Sequence, residues 1–272
     1  MDKYCFLNDR FVKEQDAKVD IFDLGFLRGY GVFDFTIAHG VKPLRLKKHL
    51  GRLENSAKIL NLKLPYSLSK IAEKTLELLE KNKYTISDLR WTLTGGRDEF
   101  ANRATFAILN TEFNEYPAAF YSEGIKLISA DFKREIPAAK TLNYQFAFSM
   151  HEKMKSFDAF ELLYTPENIV LECSTSNIFL VKNGQLITPH EDILFGITRA
   201  DVIEIAKENG ITVAEREVQK SELLSADEVF ITASGKCIMP VIAIDDAKIG
   251  NAKPGKITKD LIKLYQCVIS TS

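Results

Sequence analysis

Apolar residues recur along this chain with two periods, one helical and one alternating. Leu46, Leu50, Leu53, Ala57 and Leu60 fall at i, i+4, i+7, i+11 and i+14, which puts them on one helical face turned to a core. Helices are also expected over 68–83, over 145–155, from Gly196 through Val202, Ile205 and Ala206 to a glycine stop at Gly210, and over 257–268. Leu89, Trp91 and Leu93 alternate with polar residues as a half-buried strand does, and 105–111 reads as a second strand. Residues 4–7 and 10–12 form a hairpin about Asn8-Asp9, and 32–38 turns at His39-Gly40 to return through 41–46. Further along, strands are expected at 125–129, 131–136, 160–164, 169–171 and 227–232, and Asn183-Gly184 marks a hairpin joining 179–181 to 185–187. The strand pattern breaks around Asn114-Glu115-Tyr116-Pro117, which divides the chain into a small domain, 1–115, and a larger one, 122–272.

Charge narrows the partners. Against 37 acidic side chains stand 36 basic ones, and a formal net charge of −1 supplies no field to hold nucleic acid or an anionic membrane. A small molecule is the expected partner. Cys5, Cys173, Cys237 and Cys267 are widely spaced, with no C-x-x-C pair and no histidine in ligand spacing, so neither a disulfide frame nor a metal site is expected. The opening Met-Asp-Lys-Tyr-Cys-Phe has no basic segment followed by an apolar run, and nowhere do eighteen apolar residues follow one another. A soluble, cytoplasmic protein is expected.

Candidate chemistry centres on Pro137-Ala-Ala-Lys-Thr-Leu-Asn-Tyr144, where Lys140 stands among small neighbours that let another molecule approach. It reads either as a solvated surface lysine or as a pocket amine that loses its charge and attacks a carbonyl. Arg52, beside Leu53, reads either as a solvated helix arginine or as a cation at the edge of the buried face. Glu172 precedes the hydroxyl-rich Ser174-Thr175-Ser176. Free N–H groups at Ile197 and Thr198, with the threonine hydroxyl, make an anion cup, although capping alone also explains the threonine. Ala233-Ser234-Gly235 is a second small-residue turn able to donate to an anion. Gly25, Gly29 and Gly31 lack phosphate-loop spacing and read as tight packing before a strand. A lysine, a carboxylate and two phosphate-capable turns match what pyridoxal phosphate needs for its aldehyde, ring nitrogen and phosphate.

The chain resembles the fold-type IV, or class IV, pyridoxal-phosphate enzymes: branched-chain and D-amino-acid aminotransferases and aminodeoxychorismate lyase. The resemblance is carried by Asp23-Leu-Gly-Phe26 with Gly29-Tyr-Gly-Val-Phe-Asp34, by His49-Leu-Gly-Arg-Leu53, and by Lys140-Thr-Leu-Asn-Tyr144. It continues in Glu172-Cys-Ser-Thr-Ser-Asn-Ile-Phe179, Gly196-Ile-Thr-Arg199 and Ala226-Asp-Glu-Val-Phe230. It implies an α+β fold with a small α/β domain and a larger domain of barrel-like β structure with helices, two subunits completing each active site. It also implies Lys140 as the Schiff-base lysine and proton shuttle, Glu172 as partner of the pyridine nitrogen, and Arg52, Ile197, Thr198 and Ser234 as phosphate ligands. Tyr144 matches the tyrosine on the cofactor's phenolate oxygen.

Arg28 stands where branched-chain relatives place an aromatic lining the substrate pocket, and with Phe33 it is assigned to substrate; it either holds a carboxylate or turns to solvent or to Asp34. Three departures bear on substrate, one being Asp34 where the family commonly has glutamate after the strand aromatic. Cys237-Ile-Met-Pro240 replaces the usual Glu-Ile-Thr-Pro, and Phe100 and Asn102 stand where D-specific members carry arginine and histidine. The leading expectation is a homodimeric aminotransferase of the branched-chain type using a 2-oxo acid such as 2-oxoglutarate. Its alternatives are an aminodeoxychorismate lyase on the same cofactor and a non-catalytic binding protein of the same fold.

Overall fold

The computed structural model describes residues 2–97 and 104–270, the side chains of 268–270 excepted. The chain is mixed α+β with two sheets and two compact units, Met1–Glu115 with Ala138–Asn143, and Tyr116–Pro137 with Tyr144–Ser272.

In the first unit the strands are β1 (Tyr4–Leu7), β2 (Arg10–Lys13), β3 (Gly31–His39), β4 (Lys42–Pro43), β5 (Ile86–Thr94) and β6 (Thr105–Glu112). They pair antiparallel in the order β2-β1-β6-β5-β3-β4. The helices are α1 (Leu24–Arg28), α2 (Leu46–Ile59) and α3 (Leu68–Asn82). The predicted stripe of α2 buries Leu50, Leu53 and Ala57, which pack with Ile71, Leu78 and Leu79 of α3 and with Leu89, Trp91, Leu93, Phe106 and Ile108 of the sheet. Trp91 is wholly buried, and its indole N–H is satisfied by the Thr75 hydroxyl of α3 at 2.9 Å. The turn residue Asn8 takes a φ of 56°, as the first hairpin's Asn-Asp signal requires.

The second unit holds helices α4 (Ala119–Ser122), α5 (Gln145–Ser149), α6 (His151–Ser156), α7 (Ile197–Glu208), α8 (Lys220–Leu224) and α9 (Lys256–Ser270). Its sheet consists of β7 (Ile125–Ala130), β8 (Glu161–Tyr164), β9 (Asn177–Lys182), β10 (Gln185–Thr188), β11 (Val213–Glu215), β12 (Glu228–Ala233), β13 (Cys237–Ile244) and β14 (Ala247–Lys248). The order is β11-β10-β9-β12-β13-β7-β8, with β14 on β13. Alternation on β9 explains how the sheet buries both faces: Phe179 and Val181 join a cluster with Val202 of α7 and Leu261 of α9, while Ile178 and Leu180 join Leu127, Ile231 and Met239.

Four expected elements differ, the first being the strand expected over 41–46, of which only β4 (Lys42–Pro43) forms before Leu46 opens α2. Residues 131–136 form no strand, because Phe132 stacks on Phe146 with ring centroids 4.0 Å apart while Arg134 leaves to pair with Glu172. The helix expected over 145–155 is two, α5 and α6, parted at Met150. Residues 169–171 form no strand but scattered pairings, a bridge of Ile169 with Gln219, Val170 N to the Val218 carbonyl and Leu171 N to the Tyr164 carbonyl.

Candidate active site

The segment carrying Lys140 groups with the first unit because β3 holds it by its backbone. Phe33 N donates to the Lys140 carbonyl at 2.9 Å, Leu142 N donates to the Gly31 carbonyl at 3.0 Å, and Val32 bridges Thr141. The Lys140 N–H donates to the Ser56 hydroxyl of α2 at 3.0 Å. This approach needs Gly31, where a Cβ would lie 2.6 Å from Leu142 Cδ1 and 2.8 Å from the Leu93 carbonyl. The side chain is half-buried, and its amine lies 4.6 Å from the centroid of the Phe33 ring. Lys140 is therefore no swinging surface lysine: its 140–142 segment is tied by three hydrogen bonds, two of them to Lys140 itself, and an aromatic face lies under its nitrogen.

Arg52 is held just as firmly. It projects from α2, largely buried, and grips Asp34 of β3 with two parallel bonds, Nε to Oδ2 at 2.7 Å and Nη2 to Oδ1 at 2.9 Å. His49, one turn earlier, contributes Nδ1 at 2.6 Å from Asp34 Oδ1. Burial would raise the Asp34 carboxyl, but the guanidinium and imidazole outweigh it and hold the group well below the usual carboxylate range. An ionised carboxylate only accepts, so the His49 proton sits on Nδ1. Burial pushes the His49 imidazole below its ordinary value, with the Arg52 and Lys140 charges assisting, and that outweighs the pull of Asp34.

In the second unit Glu172 is buried and doubly anchored. Arg134 donates Nε at 2.8 Å and Nη2 at 2.7 Å to Oε1, and the Leu194 N–H donates to Oε2 at 2.9 Å. Such a carboxylate is suited to hold a proton on a basic ring nitrogen. Gly196 caps α7 with no side-chain hydrogen bond, so the first N–H groups of the helix, at Ile197 and Thr198, lack both intrahelical acceptors and a cap although both residues are buried. Buried donors left in this way fit an anion supplied from outside the chain. Ser234 lies at the tip of the β12–β13 hairpin, half-buried, in a turn closed by Lys236 N to the Ala233 carbonyl at 3.1 Å. Tyr144 is half-buried at the start of α5, and burial, with Tyr144 nearby, pushes the phenol of Tyr164 up.

Arg28 ends α1 exposed, and its Nη1 donates to the neighbouring Leu27 carbonyl at 3.1 Å; Asp34 is taken by His49 and Arg52. Phe33 is buried beneath the Lys140 amine and the Arg90 guanidinium. Phe100 and Asn102 lie outside the described residues. The sequence reading did not find Arg134, whose partner is 38 residues away, nor the use of Asp34 and His49, although the i,i+3 spacing of His49 and Arg52 put them on one face of α2. Among the described residues no group of His, Cys, Asp and Glu could hold a metal ion, and no helix is long and apolar enough to cross a membrane.

Comparison with known proteins adds the family. The model of the amino-transferase class IV family matches residues 31–244. A "Putative branched-chain-amino-acid aminotransferase" of Methanocaldococcus jannaschii is 36% identical, over 96% of this chain and 94% of its own. A D-alanine aminotransferase of Bacillus licheniformis is 30% identical, over 93% of each. The crystal structure of a T.th. branched-chain amino acid aminotransferase complexed with N-(5′-phosphopyridoxyl)-L-glutamate superposes with a TM-score of 0.91 at 28% identity, over 99% of this chain and 95% of its own. The chain belongs to the class IV aminotransferases.

Proposed function

We propose that this protein is a pyridoxal-phosphate-dependent aminotransferase that moves an amino group between a branched-chain type amino acid and a 2-oxo acid such as 2-oxoglutarate, working as a homodimer in the cytoplasm. The observation that carries the reading is Lys140, tethered by both its N–H and its carbonyl with its amine over Phe33, in a chain of this family. The glutamate moiety in the T.th. complex supports 2-oxoglutarate as acceptor. A run of exposed apolar side chains, Val19, Ile21, Phe22, Phe26 and Leu27, supports a second copy as partner, and four free cysteines support a reducing compartment.

Pyridoxal phosphate supplies, when bound, an aldehyde that carries amino groups and a ring that takes up the electrons left when a carbon loses its proton. The protein's own residues do the rest. Lys140 would move the proton between the substrate's α carbon and the cofactor's C4′ carbon. Glu172, kept in place by Arg134 and the Leu194 N–H, holds a proton at the ring nitrogen. Arg52, oriented by Asp34, and the donors of Ile197, Thr198 and Ser234 bind phosphate, while Tyr144 donates to the phenolate oxygen. Phe33, packed under the Lys140 amine, would back the substrate side of that lysine, and Arg28, now exposed on the Leu27 carbonyl, would have to turn inward to hold a carboxylate.

A substrate panel tests the reading. Purified protein supplied with cofactor should convert L-leucine and 2-oxoglutarate to glutamate faster than it converts D-alanine or releases pyruvate from aminodeoxychorismate. Preference for D-alanine would transfer it to the specificity of the Bacillus relative, pyruvate release would make it a lyase, and no cofactor absorbance would leave a binding protein. Gel filtration at 30.7 kDa instead of twice that mass would exclude the dimer.

A further inference from the structure

A second buried ion pair, outside the groups assigned above, joins three separate pieces of the second unit. Lys236 follows Ser234-Gly235 at the β12–β13 hairpin tip and is 8% exposed; Glu161 opens β8 and is 3% exposed. The Lys236 ammonium donates to Glu161 Oε2 at 2.7 Å, to the Thr175 hydroxyl at 2.5 Å and to the Ser176 hydroxyl at 2.9 Å. All three of its protons are thereby used. Glu161 in turn accepts from the hydroxyls of Ser174 at 3.2 Å, Thr175 at 2.7 Å and Ser176 at 2.8 Å, and from the Thr175 N–H. Burial works against the Glu161 charge, yet Lys236 and the hydroxyls hold its carboxyl below the usual range.

Taking both charges out of water costs so much that such a pair is poor evidence for a gain in stability, and a well-packed apolar pair would often do as well. What the pair does fix is position. The Ser174–Ser176 hydroxyls belong to the turn that begins at Cys173, immediately after Glu172, and that turn is closed by Cys173 N to the Ser176 carbonyl at 2.8 Å. Glu172 itself pairs back onto β8, its carbonyl accepting from Tyr164 N at 2.9 Å. On the other side, Lys236 closes the four-residue turn whose tip is Ser234-Gly235. With no proton to spare, Lys236 cannot itself serve as the cation for a phosphate; it acts through its neighbours.

We infer that Lys236 and Glu161 are positioning residues that lock the Ser234 turn, a phosphate donor, to the loop carrying Glu172, so that the cofactor's phosphate and ring ligands are set together before it binds. The inference rests on the roles proposed for Ser234 and Glu172. Affinity for pyridoxal phosphate, followed by the absorbance of the bound cofactor, and for inorganic phosphate as a phosphate-only probe, tests it in wild type, Lys236→Met, Ser234→Ala, Glu172→Gln and Lys236→Met/Ser234→Ala. Lys236→Met should weaken both ligands about tenfold, and it should cost distinctly less when Ser234 is already alanine, since groups in one network do not add. A merely structural role would lower the unfolding midpoint and leave the two substitutions additive.

The charge-free pair Lys236→Met/Glu161→Gln carries the test if the single variant fails to fold. Wild-type affinity in either folded variant, or strict additivity with Ser234→Ala, overturns the inference. If instead Ser234→Ala and Glu172→Gln change neither affinity nor spectrum, the roles of those two residues fall first, and the coupling falls with them.

Discussion

At the scale of single residues, the site is built from charges that orient other charges. Lys140 makes no strong claim by its neighbours in sequence; its claim comes from a main chain bonded to β3 and Ser56 and an amine above Phe33. Because those tethers are backbone, Lys140→Ala should fold with the wild-type unfolding midpoint while turnover falls by at least ~10²–10⁴, the range a positioned acid–base group contributes. Stopped-flow or steady-state transamination checks this, and wild-type rates would remove Lys140 from the chemistry. Asp34, His49 and Arg52 predict a pH dependence. His49 is depressed in the native state, so below its unfolded value near 6.5 the unfolded chain binds a proton that the folded chain refuses. Stability therefore falls as pH drops through that region, and Asp34, also depressed, adds a second loss only below the ordinary carboxylate range. Thermal unfolding from pH 8 to pH 4 should show the first decline, and His49→Gln, which keeps a donor for Asp34, should flatten it. An unchanged slope in that variant would mean that another group titrates. Lys140, Glu172 and Arg52 were legible as candidates, residue types in a family's order, whereas Arg134 and Lys236 were not, since they pair with acids 38 and 75 residues away.

At the scale of elements, what could be read depended on whether local signals and tertiary packing agreed. The α2 stripe, the β9–β10 hairpin at Asn183-Gly184 and the end of α7 all carry their own instructions. At the last, Gly210 takes a φ of 76°, Ile211 N bonds the Ala206 carbonyl at 2.9 Å and Gly210 N bonds the Lys207 carbonyl at 3.2 Å, a double-bonded helix stop. Residues 131–136 failed as a strand because Phe132 and Arg134 find better partners in a ring stack and a buried carboxylate than a ladder offers. The start of α7 joins element to site. A Cβ at Gly196 would lie 2.1 Å from Asn177 Oδ1, and Asn177 cannot swing away cheaply, being buried and bonded to the Leu194 carbonyl at 2.8 Å. Gly196→Ala should therefore destabilise by about 1–3 kcal/mol, the usual cost of overpacking, and weaken phosphate binding as Ile197 and Thr198 are displaced. Denaturant unfolding together with cofactor titration checks both. A stable variant with unchanged affinity would show that the helix start is not part of the phosphate site.

At the scale of the whole molecule, a net charge of −1 gives little long-range steering, so cofactor affinity must come from the local donors. These groups are costly to the empty chain: α7 starts without a side-chain cap although Ile197 and Thr198 are buried, and Glu172 is a buried carboxylate paired with Arg134. A ligand that satisfies them and binds only the folded chain stabilises it by mass action, about 2.7 kcal/mol when present at a hundred times its Kd. For chains near this length each kcal/mol moves the unfolding midpoint by about 2–4 °C. Stripping pyridoxal phosphate should thus lower the midpoint by about 5–11 °C on these two scales, and adding it back should restore the difference in a concentration-dependent way. Inorganic phosphate should recover part of the shift, because it reaches the α7 donors but offers nothing to Glu172 or Lys140. Scanning calorimetry of the stripped, phosphate-loaded and cofactor-loaded protein distinguishes these cases. Equal midpoints in all three would show that the native chain gains nothing from the cofactor and that the buried donors are answered within the protein itself.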